Sequence, residues 1–386
     1  MACRKILAIV CLFLLSTGIV HAQEGATLLQ DTVTTVKAVV LAITNQQVKQ
    51  VPGTDVKSSY QDLTVRILDG DEAGKEVGVA SDFLNLKVGE EFYLIKTVHA
   101  DNGSELYSVS EPYRLPAVFF FIGLFALCVV VFGGMQGLRG LISLAGSMAL
   151  IFFVLLPGIL HGYSPILVSF GVAALIIILG SYVTHGFNKT TSVAVLGMIV
   201  TVLLTGALAY CAVNSSRLSG FATEESVYLN LDTRGAIDFQ GLLLGGILIG
   251  LLGILYDGAI GQAVSVEELH HIGPHLSRGT IFKRALRIGR EHIGALVNTL
   301  AIAYVGVSLP LLLLFYSGQS ADFFMTLNRE IFATEVIRIV IGSIGLVLAI
   351  PITTVLAVFI LVKPVVGITK ENIKEETKAV EEFVDH

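Results

Sequence analysis

An aspartate, Asp257, closes an apolar run from Leu242 to Tyr256. Ionisable groups among membrane helices are costly, so they face a bundle interior, a partner or a water-filled path. The ten Leu and Ile residues between Leu242 and Leu255 favour insertion by roughly 3 to 6 kcal/mol, and a central Asp opposes it by roughly 2.5 to 3.5 kcal/mol. The helix therefore inserts with its carboxylate. Gly253, Asp257 and Gly261 share one helical face at i, i+4 and i+8, and small residues let another backbone approach closely. This spacing predicts a carboxylate packed against protein in a crowded, poorly hydrated place, with a proton or cation as its natural company. The plainer reading is that Asp257 marks a helix end or pairs with a structural Arg.

A second cluster follows: Glu267, Glu268, His270, His271 and His275. Glu267 with His270 or His271 places two metal ligands on one helical face. A di-iron bundle needs a second ExxH and further carboxylates, and no second ExxH exists. A solvated helix end is the simpler account, with a zinc site as the alternative and no cofactor expected. In Thr280–Glu291, Ile281, Phe282, Ala285 and Ile288 line one side, and Lys283, Arg284, Arg287 and Arg290 the other. That pattern predicts an amphipathic helix on the lipid surface; the patch is too short and too close to apolar segments to suggest nucleic acid. Asn298, Thr299 and Tyr304, then Thr353 and Thr354 after Pro351, place polar groups in two further apolar segments. A proline frees a carbonyl for hydroxyls or water, so these residues are expected around Asp257, lining a path. Ordinary interhelical hydrogen bonding would also account for them. Phosphate-binding glycine loops, GxSxG elbows and HExxH sites are absent.

The elements that must position these groups follow from composition. The 386 residues are 54% hydrophobic and 15% charged, with mean hydropathy +0.78, where a soluble domain carries about a quarter charged residues. An integral membrane protein is expected. Residues 1–22 have the form of a secretory signal: Arg4 and Lys5, an apolar core, then Val20-His21-Ala22. None of the four cysteines has ligand or disulfide spacing. Residues 32–112 are polar, with period-two runs at Thr34–Thr44, Asp62–Leu68, Glu76–Phe83, Glu91–Val98 and Leu106–Tyr113. Five short strands predict a small extracytoplasmic β domain, an OB-like barrel among the β folds. Seven apolar segments of about spanning length follow within 115–363: 116–132, 140–160, 164–183, 191–213, 239–260, 293–316 and 333–363. Basic residues concentrate in 133–139, 184–190 and 261–292, and acidic ones in 214–238 and 317–332. The positive-inside rule puts the first set in the cytoplasm and the β domain outside. The last segment is expected as one helix kinked at Pro351, with a re-entrant pair as the alternative. Residues 364–386 form a charged tail, expected to be cytoplasmic.

The stretches LGILYDGAIGQAVSVEELHH (252–271), NTLAIAYVGVSLPLLLLF (298–315) and EVIRIVIGSIGLVLAIPITT (335–354), with the weaker LRGLISL (138–144), resemble the YibE/F-like family of bacterial multispanning membrane proteins. The resemblance covers about 115–363 and implies a polytopic protein of the bacterial cytoplasmic membrane; it brings no reaction or substrate. Three functions are open on the residues: a permease for an ion or small solute with Asp257 in its pathway, a membrane scaffold or sensor whose β domain binds an envelope partner, and an intramembrane enzyme or metal protein using Glu267 and the histidines. The sequence does not give the oligomeric state.

Overall fold

The computed structural model describes residues 31–50, 53, 57–82, 84–317 and 322–363. The expected signal segment, 1–22, and charged tail, 364–386, lie outside these residues. The chain divides into two compact units, one ending at Leu124 and one beginning at Phe125.

The first unit contains the five expected strands: β1 (Thr32–Gln50), β2 (Lys57–Ile67), β3 (Glu76–Ser81), β4 (Glu91–Val98) and β5 (Glu105–Pro112). Strands β2, β3 and the first half of β4 bury alternate residues, and Ala38, Val40, Leu63, Val65, Ile67, Val79, Phe92, Leu94 and Val109 build the core. All pairings are antiparallel, in the order β3-β2-β1-β4-β5. The return of β4 beside β1 makes a Greek key, as an OB-like barrel has. Strand β1 pairs with β4 through Thr32–Val39 and with β2 from Ala38 onward, and register shifts at Val40/Ala42 and Ile43/Asn45 bend it. Buried Gln61 holds the segment after β3: its amide donates to the Leu86 carbonyl at 3.1 Å and its Oε1 accepts from the Leu86 N–H at 2.8 Å.

The end strands β3 and β5 come close to each other without a ladder. A charged lattice ties the β2–β3 turn to β4 and β5. Lys96 Nζ lies 2.9 Å from Glu72 and 2.6 Å from Glu105; Lys75 Nζ lies 2.9 Å and 3.1 Å from the same carboxylates. The Tyr107 hydroxyl reaches Glu72 at 2.7 Å and Glu105 at 2.8 Å. Tyr107, then Lys96 and Lys75, hold the Glu72 carboxyl down at about 2, and Lys96, Tyr107 and Lys75 do the same for Glu105.

The second unit is helical, and the chain is an integral membrane protein. Helix α1 (Leu115–Leu160) is followed by α2 (Pro165–His185), α3 (Lys189–Ser215), α4 (Glu224–Asp232), α5 (Phe239–Ile272), α6 (Arg278–Val307), α7 (Leu309–Ser317), α8 (Phe323–Leu327) and α9 (Glu330–Leu361). Five are long and apolar enough to cross a bilayer, and the bent pair α6–α7 makes a sixth. The seven expected segments are thus distributed differently. Segments 116–132 and 140–160 are the two arms of α1, divided within the expected link 133–139 by a break in the helix and not by a loop. The interruption is one residue, Gly134, at φ 56°, a conformation that glycine adopts without a Cβ penalty. A Cβ on Gly137 would strike the Val129 carbonyl, although eight residues of straight helix rise about 12 Å. The chain therefore folds sharply at Gly134. Segment 293–316 breaks at Ser308 with a 69° bend, where Pro310 lacks the N–H that would continue the ladder. Segment 333–363 is one helix running through Pro351, the expected form and not the re-entrant pair.

Side-chain contacts order the helices. Tyr182–Ser192 and Phe170–Gly206 run α2 antiparallel to α3, and Ser169–Gly245 and Gly180–Tyr256 run α2 parallel to α5. Gly250–Tyr304, Gly258–Leu296 and Gln262–Ala285 run α6 antiparallel to α5. Leu300–Gly342 and Gly289–Ile350 place α9 against α6. In the tightest seam, Gly197 of α3 meets Thr353 of α9, and Thr205 of α3 meets Gly345 of α9. Helix α9 is tied at both ends. Glu330 Oε1 accepts from the Ser219 and Gly220 N–H groups at 2.7 and 2.9 Å. Arg278 donates to the Val362 carbonyl at 2.8 and 3.0 Å and to the Phe359 carbonyl at 3.2 Å, satisfying helix-end acceptors.

Two outcomes follow. A Cβ on Gly345 would lie 2.6 Å from the Thr205 hydroxyl, whereas one on Gly246 meets nothing within 4 Å. Gly345→Val should cost about 1–3 kcal/mol and lower the detergent melting temperature by several degrees; Gly246→Ala should not. In the β domain, the folded carboxyl values lie below the ordinary 4.5, so the lattice stabilises fully above about 4.5 and loses its contribution as pH falls toward about 2. NMR titration of the Glu carboxyls should find both midpoints near 2, and Lys96→Met should raise both by about one unit or more.

Candidate functional site

Helix α5 begins with Asp238 as N-cap, whose side chain accepts from the Gly241 N–H. The apolar residues after it fill the bundle: Leu248, Leu251, Leu255 and Ala259 are buried against α2, α3 and α9. That arrangement decides where Asp257 goes. Gly258 faces Leu346 and Ile350, and Gln262 donates to the Ala285 carbonyl at 2.7 Å. Asp257 therefore points to the other side, where it is exposed and makes no hydrogen bond or ion pair among the described residues. Gly253 and Gly261 share its face as expected, but nothing lies within 4 Å of their Cβ positions. The expected packing of this face against protein does not occur among the described residues, because the leucines claim the inner side. Tyr256 beside it donates to the Gly180 carbonyl at 3.1 Å and lies 5.7 Å from the His185 ring. Since His185 ends α2, Asp257 sits near that end of the bundle.

Asn298 and Thr299 lie on α6 between its contacts with Gly258 and Gly250, at the level of Asp257, and both are exposed. The Thr299 hydroxyl donates to the Ala295 carbonyl at 2.9 Å. Tyr304 brings its hydroxyl against Gly250. Pro351, Thr353 and Thr354 do not join them. Thr353 is fully buried against Gly197, and Thr354 donates to the Ile350 carbonyl at 2.6 Å. They belong to α9, which packs on the inner face of α5, opposite Asp257.

Glu267, His270 and His271 sit in the last turns of α5, and no three His, Cys, Asp or Glu side chains converge on a metal position among the described residues. Lys283, Arg284, Arg287 and Arg290 are exposed along one side of α6. The expected separate surface helix is instead the first half of α6. Its apolar side, Ile281 and Ala285, is buried on Val193, Val266, Ala357 and Val358, not free for lipid.

Sequence reasoning passed over a further constellation. At the break between α6 and α7, Ser308 Oγ donates to Glu335 Oε2 at 3.3 Å, and Arg338 Nη1 donates to Glu335 Oε1 at 2.9 Å. Tyr304, one turn before the break, interacts electrostatically with both charges. Arg338 Nε is buried with no acceptor among the described residues. Phe315 of α7 packs on Phe332 of α9 at 5.3 Å between ring centroids, which holds the C-terminal half of α7 against α9, while Ser308 ties its other end to Glu335. The signal was an oppositely charged i, i+3 pair inside an apolar segment, the criterion that marks Asp257.

A match to the YibE/F-like protein family covers residues 121–363, and with them Asp257, the helix break and the Glu335–Arg338 pair. No curated protein and no solved structure matches the chain. The match extends over more than half of the sequence, and the chain belongs to the YibE/F-like family.

Proposed function

We propose that this protein is a permease for an ion or small solute, in the cytoplasmic membrane, with its path along the shared face of α5 and α6. One observation carries the reading: two charged stations lie inside apolar helices, one on α9 at the helix break and one on α5, with polar residues of α6 at the levels between them. Glu335, Arg338, Ser308 and Tyr304 form the first, at the broken helix. Tyr304 contacts Gly250, and Asp257, the second, lies seven residues or about 10 Å further along α5. Thr299 and Asn298 lie at that level on α6. Broken helices with polar groups at the break are a recurring means of building transport sites. In this reading the basic ends of α3 and α6 face the cytoplasm, Lys283, Arg284, Arg287 and Arg290 rest near anionic lipid, and the β domain lies outside.

The alternative is a non-transporting scaffold or sensor whose β domain binds an envelope partner. It is favoured by the apolar filling of the bundle core, which leaves the path on the outer face. Proteoliposome flux separates the two. Purified protein should dissipate an imposed proton, sodium, potassium or lactate gradient faster than empty vesicles, and Asp257→Asn should slow that flux about tenfold. Wild-type protein that passes none of these would favour the scaffold; unchanged flux in the variant would remove Asp257 from the path.

A further inference from the structure

We infer that the Glu335–Arg338 pair is a gated anion site that takes a small carboxylate together with one proton. The inference deepens the permease reading and rests on it for its physiological sense. Arg338 is a fixed positive charge in an apolar helix, and Glu335 occupies it through Nη1 at 2.9 Å. A guanidinium offers its donors as a planar fork that suits a carboxylate, yet Nε of Arg338 is buried with no acceptor among the described residues. The side chain is bound by a carboxylate and still has an unused donor. The second oxygen of Glu335 takes the Ser308 hydroxyl at 3.3 Å, at the N-terminal end of nine-residue α7, where helix N–H groups favour negative charge. Glu335 thus stands where an external carboxylate would lie.

Charge balance dictates how the two exchange. An external anion beside ionised Glu335 would leave net negative charge among apolar helices, which is strongly disfavoured. Protonation of Glu335 on a carboxyl oxygen weakens its pairing with Arg338, and an entering carboxylate restores neutrality. The site is neutral before and after, one proton accompanies one anion, and no covalent bond changes. The titratable or charged groups facing Glu335 are Arg338 on its own helix and Tyr304 on α6. Helices α3 and α5 meet this part of α9 through Ala209, Val213, Leu244 and Ile247, and α7 through Phe315, so no other charge among the described residues competes for the proton.

The test is lactate binding to the purified full chain in detergent, read from the shift in melting temperature with concentration. Affinity should rise at least about tenfold from about pH 7.5 to about pH 5.5, because binding takes up a proton. Glu335→Gln should bind lactate tightly with little pH dependence. Arg338→Gln should lose at least about tenfold in affinity. If that variant does not fold, Glu335→Gln/Arg338→Gln keeps both volumes without either charge, and should fold without binding lactate. No lactate-dependent shift in the wild type, or an unchanged pH slope in Glu335→Gln, overturns the inference. Stabilisation by inorganic phosphate but not lactate overturns the carboxylate assignment. Binding without flux retains the site and removes the permease reading; flux without binding does the reverse.

Discussion

The helical unit depends on the seam between α3 and α9. Gly197 receives Thr353, and eight residues away on each helix Thr205 is received by Gly345. Opposing a glycine to a threonine at both ends brings the backbones close without a void, and each hydroxyl oxygen lies over a glycine Cα. Neither hydroxyl has a conventional hydrogen-bond partner, so the seam tolerates little displacement. Charged side chains fix the two ends of α9: Glu330 on the loop after α3, and Arg278 on the last carbonyls of α9. Helices α5 and α6 then pack on the remaining sides of α9 through Leu346, Ile350 and Gly342.

This packing places the chemistry at the periphery of the bundle. The leucines and isoleucines of α5 outnumber its polar residues, and the inner face goes to them; Asp257 is left on the outer face beside Gly253 and Gly261. Helix α6 reinforces the pattern, since Leu300 turns inward toward Gly342 and Asn298 and Thr299 turn out. At Ser308, beside the break at Pro310, a hydroxyl next to α6 meets the Glu335–Arg338 pair of α9. Irregular backbone among membrane helices survives where polar groups gather at it, and here Glu335, paired with Arg338, accepts from the Ser308 hydroxyl beside the break.

The β domain closes by a different physical route. The turn that leads into end strand β3 is tied to β4 and to end strand β5 by a lattice of two lysines, two glutamates and a tyrosine, with no backbone ladder between the two end strands. Each carboxylate has two ammonium partners, so removing one leaves the other in place. This tolerance of single losses contrasts with the α3–α9 seam, where one added methyl group forces a shift.

Much of the fold was legible in the sequence because it depends on short-range periodicity. Alternation over two residues located all five strands, β4 to the residue, and apolar length located the long helices. Charges at the loops sorted the helix ends into a basic and an acidic set. Joined or broken helices were not legible as such, because a single Gly134 or Pro310 changes direction only in three dimensions. Asp257 was visible as a charge in an apolar run, and Glu335 with Arg338 met the same criterion. What the sequence alone determined was which residues are too costly to leave unaccompanied. Which of them meet was decided by tertiary packing: α9 buries Thr353 and Thr354 against α3, away from Asp257, because helix faces are assigned by the sum of apolar contacts along their whole length and not by the few polar residues they carry.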